Sequence, residues 1–105
     1  MNTLMASNVI DNICHLINQN IKLFNSFNSI YLFGSILNIE KTPNDIDILL
    51  IYSEYSNKII DDLNIIYSVF ANLSELPIDL TVLSAKEEKD TTFLKRLNAK
   101  YLKLK

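Results

Sequence analysis

The fold of this chain is decided by two neighbouring stretches, Tyr31-Leu32-Phe33-Gly34-Ser35 and Asn44-Asp45-Ile46-Asp47-Ile48-Leu49-Leu50-Ile51. The chain's one glycine lies in the first stretch, and two carboxylates lie two residues apart in the second. On a β-strand, residues i and i+2 face the same side, so Asp45 and Asp47 are predicted to lie a few ångströms apart. Two like charges in an apolar strand repel each other and resist desolvation. A divalent cation bound between them is therefore our working hypothesis.

Short apolar runs around this stretch predict the strands of the fold. The predicted strands are Ile30–Phe33, Asp45–Tyr52 and Ile78–Leu83. The second is apolar on both faces beyond its aspartates, so we expect it to be central in the sheet. A short helix is predicted over Ser35–Leu37, and a loop over Asn38–Asn44 with Pro43 as its breaker.

Apolar residues at helical spacing predict three longer helices. The first is capped by Ser7 and runs to about Phe27. The second covers about Asn57–Leu73 and is capped by Ser53 or Ser56. The last covers about Ala85–Asn98. The last helix begins with Ser84-Ala85-Lys86-Glu87, which matches a capping box. Beyond it, Tyr101 and Leu102 are expected to dock as a tail.

Each helix has a predicted buried face. The expected core residues are Ile10, Ile13, Cys14, Ile17, Ile21 and Phe24 in the first helix, Ile59, Ile60, Leu63, Ile66, Tyr67 and Phe70 in the second, and Phe93, Leu94 and Leu97 in the last. His15 lies opposite the first face and is expected to be exposed. Val9, Leu16 and Leu23 flank that face, and they either widen the core contact or meet a partner.

Composition and element order predict one α/β (α+β) domain over residues 1–105, a small mixed sheet with helices packed on it. A net charge of -2 gives no broad basic field, so a large nucleic-acid footprint is not favoured. The single cysteine, Cys14, excludes an internal disulfide and a cysteine-based zinc site, and it favours a cytoplasmic setting. Neither a signal peptide nor a membrane-spanning segment is predicted.

The basic C-terminal part has two readings. It contains Lys95, Arg96, Lys100, Lys103 and Lys105. These residues either place favourable charge at a helix C-terminus and in a solvated tail, or form a surface for RNA, nucleotide phosphates or an acidic partner.

Asp79 in the third strand extends the acidic pair. It shares a face with Thr81, opposite Ile78 and Leu80, and an isolated aspartate there would be a liability inside a core. Beside Asp45 and Asp47 it would complete a three-carboxylate cluster, the oxygen-rich environment that Mg²⁺ prefers. The alternatives are a solvated strand end for the pair and a loop-adjacent position near Pro77 for Asp79.

The Gly34-Ser35 pair is suited to a phosphate. A glycine at a strand-to-helix junction permits close backbone approach, and the N–H groups of a helix start together with a serine hydroxyl can donate hydrogen bonds to phosphate oxygens. A serine that begins a helix after a turn is the ordinary alternative.

Taken together, these motifs resemble the nucleotidyltransferase superfamily of DNA polymerase beta. The matching segments are Leu32-Phe33-Gly34-Ser35, Asn44-Asp45-Ile46-Asp47-Ile48-Leu49 and Ile78-Asp79-Leu80. The nearest branch looks like the minimal nucleotidyltransferases, antitoxins that are often encoded beside a helical toxin of the HEPN type. Some of them transfer AMP from ATP to a tyrosine of that toxin (AMPylation).

The resemblance implies a role for each matching residue. Gly34 and Ser35 would contact the nucleotide phosphates, and Asp45 and Asp47 would ligate two Mg²⁺ ions. Asp79 would hold the second metal and help to deprotonate the nucleophile. It also implies ATP as substrate and a hetero-oligomer with the toxin. Many minimal members carry an arginine in the loop after Gly-Ser, whereas residues 36–44 here contain Lys41 as their one cation.

Two other functions stay open from the sequence. One is an antitoxin that neutralises its toxin by occlusion, without catalysis. The other is the catalytic subunit of a two-chain transferase that acts on a small molecule or RNA.

Overall fold

The centre of the structure is a mixed four-stranded sheet in the order β3-β2-β1-β4. The computed structural model describes residues 3–38, 40 and 42–105. The strands are β1 (Ser29–Phe33), β2 (Ile46–Tyr52), β3 (Ile78–Ser84) and β4 (Tyr101–Lys103). β1 is antiparallel to both β2 and β4, whereas β2 and β3 are parallel. A small mixed sheet flanked by helices is therefore confirmed, with β2 in a central position.

Helices connect and cover the strands. They are α1 (Thr3–Gln19), α2 (Asn57–Leu73), α3 (Ala85–Thr91) and α4 (Phe93–Arg96), with short 3₁₀ helices at Ile21–Phe24 and Gly34–Leu37. α2 is the crossover that two consecutive parallel strands, β2 and β3, require. Within the described ranges, no helix has the length and apolar character needed to cross a membrane.

The two faces of the sheet bury two separate apolar clusters. The main core lies between one face and the helices α1 and α2, and its fully buried members include Ile13, Ile17, Phe24, Ile30, Leu32, Ile48, Leu50, Ile66 and Phe70. A smaller cluster on the opposite face is formed by Tyr31, Leu49 and Ile51 with Phe93 and Leu94 of α4 packed against them. Because side chains alternate along a strand, this second face is also the face of Asp47.

The first helix is shorter than predicted at its C-terminal end. α1 runs from Thr3 to Gln19, so Ser7 lies inside the helix rather than at its cap, and the helix does not continue to Phe27. The Asn20 side chain donates a hydrogen bond to the Leu16 carbonyl at 2.8 Å, and the chain then tightens into a 3₁₀ helix. Residues three apart share a side of a 3₁₀ helix, which keeps Phe24 in the core as the helical pattern required.

The last helix is broken in two. The prediction of one helix over Ala85–Asn98 is wrong, because Thr92 adopts a φ of 50° between α3 and α4. The Glu88 carboxylate accepts a hydrogen bond from the Leu94 backbone N–H at 3.0 Å and holds the two pieces together. The break brings the Phe93 ring to 5.5 Å from that of Phe33, centroid to centroid, against the second face of the sheet.

The capping predictions have mixed outcomes. The capping box at Ser84 is confirmed, since its hydroxyl accepts from the Glu87 N–H at 3.0 Å and the Glu87 carboxylate accepts from the Ser84 N–H at 2.9 Å. Ser56 occupies the N-cap position of α2, but its side chain makes no capping hydrogen bond. The bounds of α2 are those predicted.

The buried face of α2 is narrower than the sequence predicted. Ile59, Ile66 and Phe70 are buried. Ile60 and Tyr67 were expected beside them, but their side chains are 50% and 42% exposed. Both residues are apolar neighbours of the true face, lying about 100° around the helix from Ile59 and Ile66, and periodicity alone does not separate them.

Around α1, the predictions for single residues are largely confirmed. His15 is exposed. Cys14 is half-buried and packs against the main core, and burial, followed by the charge of Asp11, raises the pKa of its thiol. Val9 and Leu23 pack on the same core, which supports the reading that they widen the core contact. Leu16, the third residue of that stripe, is half-buried, and the choice between core and partner stays a prediction for it.

Candidate metal centre

Three aspartates meet where the central strand pair begins. Asp47 in β2 is the direct register partner of Asp79 in β3. Asp45 was expected inside β2, but it lies in a bend just before the strand, which starts at Ile46. One carboxylate oxygen from each of the three aspartates lies within 4.8 Å of the other two.

The register places the acidic cluster in a row across the whole sheet. Phe33 of β1 pairs with Asp47, and Tyr101 of β4 pairs with Phe33. With Asp79 at the other end, the row reads Asp79, Asp47, Phe33, Tyr101. Residues in one row share a face, so the carboxylates lie on the same side as the aromatic cluster under α4.

The charges of the cluster act against one another. The pKa of Asp47 is raised above its ordinary value, first by burial, then by the negative charges of Asp45 and of Asp79. Asp45 and Asp47 are half-buried, whereas Asp79 is exposed. Three carboxylates converging on one point are the donor set that a hard divalent cation such as Mg²⁺ accepts, so the residues present fit the metal that the sequence predicted.

Gly34 is required by the position of Asp47. Its φ is +85°, a conformation that favours glycine, and a Cβ atom there would lie only 2.9 Å from the Asp47 Cγ and would overlap one of its carboxylate oxygens. The backbone of Gly34 therefore lies directly against the Asp47 carboxylate. Ser35, the next residue, is half-buried at the start of the 3₁₀ helix, and its phosphate-binding role stays a prediction.

An open cavity adjoins the acidic cluster at Gly34, which is one of its lining residues. Its volume is about 510 Å³, within the usual range for small-molecule sites. It is lined by Gly34, Leu37, Asn38, Glu40, Ala99, Lys100 and Tyr101. Gly34 is thus shared by the acidic cluster and the cavity.

The loop before Asp45 forms one wall of this cavity. The Asn38 side chain accepts a hydrogen bond from the Glu40 N–H at 3.0 Å, which shapes the start of the loop. Lys41, the cation that the sequence left in this loop, lies outside the described residues. The sequence did not predict that Lys100 and Tyr101 would border the site, although the basic C-terminal part was a hint of it.

Comparisons with known proteins agree with this geometry at the level of the fold. No protein-family model matches the chain, and no curated protein matches it in sequence. In structure, the chain is similar to a protein from Sulfolobus solfataricus provisionally assigned as a nucleotidyltransferase, with a TM-score of 0.58 and 17% identity over 98% of this chain and 86% of that chain. The chain therefore has a nucleotidyltransferase-like fold.

Proposed function

We propose that this chain is a Mg²⁺-dependent nucleotidyltransferase. The observation that carries the proposal is the convergence of Asp45, Asp47 and Asp79, with their oxygens within 4.8 Å, on a nucleotidyltransferase-like fold. The close contact of Gly34 with Asp47 supports it, because it sets a flexible, Cβ-free backbone beside the metal ligands. An acidic cluster alone would be weaker support, since exposed carboxylates often gather without an ion.

In the proposed reaction, an acceptor hydroxyl oxygen forms a bond to the α-phosphorus of a nucleoside triphosphate. The bond from that phosphorus to the bridging oxygen breaks, and pyrophosphate leaves with the electron pair. Asp45 and Asp47 would hold two Mg²⁺ ions, with Asp79 as a further ligand of the second. When bound, the ions supply charge neutralisation and activation of the acceptor hydroxyl. Asp79 takes up the hydroxyl proton, and Gly34 with Ser35 positions the phosphates.

The proposed donor is ATP, and the proposed acceptor is a tyrosine of a HEPN-type toxin partner, with the chain acting as its antitoxin by AMPylation. The resemblance of the motifs motivates this choice. The geometry is compatible with a macromolecular acceptor, because Asp79 is exposed on β3, which is an edge strand. A tyrosine on the surface of another protein can therefore approach the cluster from that edge.

The test is transfer of label from ATP labelled at the α-phosphate. The protein is incubated with ATP, Mg²⁺ and the purified protein that is encoded beside it. Label is expected on the partner, and it should be lost in an Asp45→Asn, Asp47→Asn double variant. A matched control is Asp61→Asn with Asp90→Asn, which removes two exposed aspartates from α2 and α3 and should leave transfer unchanged.

A non-catalytic antitoxin is the second candidate, and the loop between Ser35 and Asp45 motivates it because it contains no arginine. In that case the double variant would neutralise the toxin as well as the parent chain does, with no label transferred by either. That result would reject the enzyme.

A further inference from the structure

We propose that Lys100 binds the phosphate chain of the nucleotide. It would take the place of the arginine that is absent from the loop after Gly34-Ser35. The inference deepens the proposed function and rests on it for the identity of the ligand. It concerns a residue at the far end of the chain, outside the motifs that the sequence singled out for the site.

The strand register brings Lys100 to Gly34. β4 pairs with β1 such that Tyr101 lies opposite Phe33. Gly34 follows Phe33 and Lys100 precedes Tyr101, and both residues line the cavity at the end of β1, where the backbone meets the Asp47 carboxylate. A phosphate chain that leaves the acidic cluster past Gly34 therefore enters the cavity next to Lys100.

The turn before β4 fixes this placement. Asn98 and Ala99 have φ values of 53° and 62°, and the Lys100 N–H donates a hydrogen bond to the Leu97 carbonyl at 2.9 Å. Two consecutive positive φ values closed by such a bond are the pattern of a type I′ turn, which here reverses the chain between α4 and β4. Lys100 is thus the last residue before β4. Its backbone position is fixed on one side by this turn and on the other by the pairing of Tyr101 with β1.

The other basic residues of this part of the chain have local roles. Lys95 and Arg96 lie in the last turn of α4, where positive charge is favourable. Lys103 lies over the Tyr31 ring at 5.9 Å. The Lys105 ammonium donates hydrogen bonds to two backbone carbonyls, at 3.1 and 2.6 Å. Of these basic residues, Lys100 is the one that lines the cavity beside Gly34.

The cavity is lined by side chains of opposite charge. Among the described residues that line it, Lys100 carries a positive charge and Glu40 a negative one. Both residues are exposed, so neither charge is buried away from solvent. A polyphosphate is attracted to Lys100 and repelled by Glu40, so the phosphates are expected to lie along the Lys100 wall. The wall formed by Glu40 and Asn38 then remains for groups that donate hydrogen bonds, such as ribose hydroxyls.

The test compares ATP with adenosine by isothermal titration calorimetry in the presence of Mg²⁺, using the full chain. Lys100→Gln is expected to weaken ATP binding about tenfold, the loss of one charge-assisted contact, and to leave adenosine binding and the affinity for Mn²⁺ alone unchanged. Lys100→Arg should retain ATP binding. Lys58→Gln, the same change at an exposed lysine of α2, should have no effect.

In the binding experiment, the inference is overturned by equal ATP affinity for Lys100→Gln and Lys58→Gln, by an equal loss for ATP and adenosine, or by no ATP binding to the parent chain. Failure of the proposed function has a different signature. ATP binding would still depend on Lys100, but no label would pass to the partner. Conversely, transfer that is unaffected in Lys100→Gln even at low ATP rejects the role of Lys100 and leaves the enzyme standing.

Discussion

Asp47 and Asp79 are direct register partners on the parallel strands β2 and β3, which puts two carboxylates side by side on one face of the sheet. Asp45 adds a third from the bend before β2. Pairing of like charges across adjacent strands is unfavourable by itself. A bound cation would offset this repulsion. The first prediction therefore concerns metal affinity, and the second concerns the stability of the metal-free protein.

The first prediction concerns metal affinity. Asp47→Asn should weaken Mn²⁺ binding by at least about tenfold, because affinity for such ions depends on the number of charged ligands. Binding is measured by calorimetry or by the electron paramagnetic resonance of free Mn²⁺. Asp90→Asn, at an exposed position of α3, is the control. Equal affinities for the two variants would contradict the site.

The second prediction concerns stability without metal. Because the pKa of Asp47 is raised in the folded state, the folded chain binds its proton more tightly than the unfolded chain does. The free energy of unfolding should therefore fall as the pH rises from the ordinary value of 3.8 through the raised pKa, and stay lower above it. Asp47→Asn removes this penalty.

At pH 7, the Asp47→Asn variant should be more stable than the parent chain by less than about 1 kcal/mol, since a half-buried charge is screened by solvent. The difference should disappear below the ordinary pKa. Urea titrations across this pH range, with chelator present, provide the measurement. Parallel stability curves for the two proteins would show that Asp47 carries no such penalty.

The third prediction concerns Gly34. Gly34→Ala should destabilise the fold by about 1–2 kcal/mol through its positive φ, and the added Cβ should displace the Asp47 carboxylate. Mn²⁺ affinity should then fall together with stability. Ser35→Ala is a suitable neighbouring control, because it adds no atom near Asp47. Retention of full Mn²⁺ affinity in Gly34→Ala would contradict the contact.

The sequence predicted the parts of the molecule that depend on local pattern. Apolar runs predicted β2 and β3, and period-two alternation predicted that Asp45 shares a face with Asp47 and Asp79 a face with Thr81. That Asp79 lies beside Asp47 was a hypothesis, and it is the register of the two strands that brings these residues together. The helix boundaries that it predicted wrongly depend on side-chain contacts with the backbone. Asn20 ends α1 through its bond to Leu16, and Glu88 stabilises the break at Thr92.

β4 could be predicted only as a docking tail. It is three residues long and is defined by its pairing with β1, which is distant in the sequence. The position of Lys100 at the candidate site follows from that pairing. For the same reason, no motif in the sequence linked Lys100 to Gly34. The sequence indicated only that the basic C-terminal part, which includes Lys100, could form a surface for nucleotide phosphates.

The fourth prediction tests the turn that precedes β4. Ala99 pays a steric cost for its φ of 62°, so Ala99→Gly should stabilise the protein by about 1 kcal/mol. The same substitution at Ala71, exposed in the last turns of α2, should destabilise it by a similar amount, because glycine is a poor helix former. Thermal unfolding of the two variants gives shifts of opposite sign. A loss of stability in both would show that Ala99 is not strained.

The fifth prediction tests the face that α2 presents to the core, where the sequence was ambiguous. Ile65 and Ile66 are adjacent and chemically identical, but their side chains are 46% and 0% exposed. Ile66→Ala should cost about 2–5 kcal/mol of unfolding free energy, since it removes buried methyl groups and leaves a cavity in the main core. Ile65→Ala should cost less than about 1 kcal/mol, because its side chain is already half in water. Chemical denaturation with unchanged m-values provides the comparison, and similar losses at the two positions would mean that α2 is rotated relative to the face described for it.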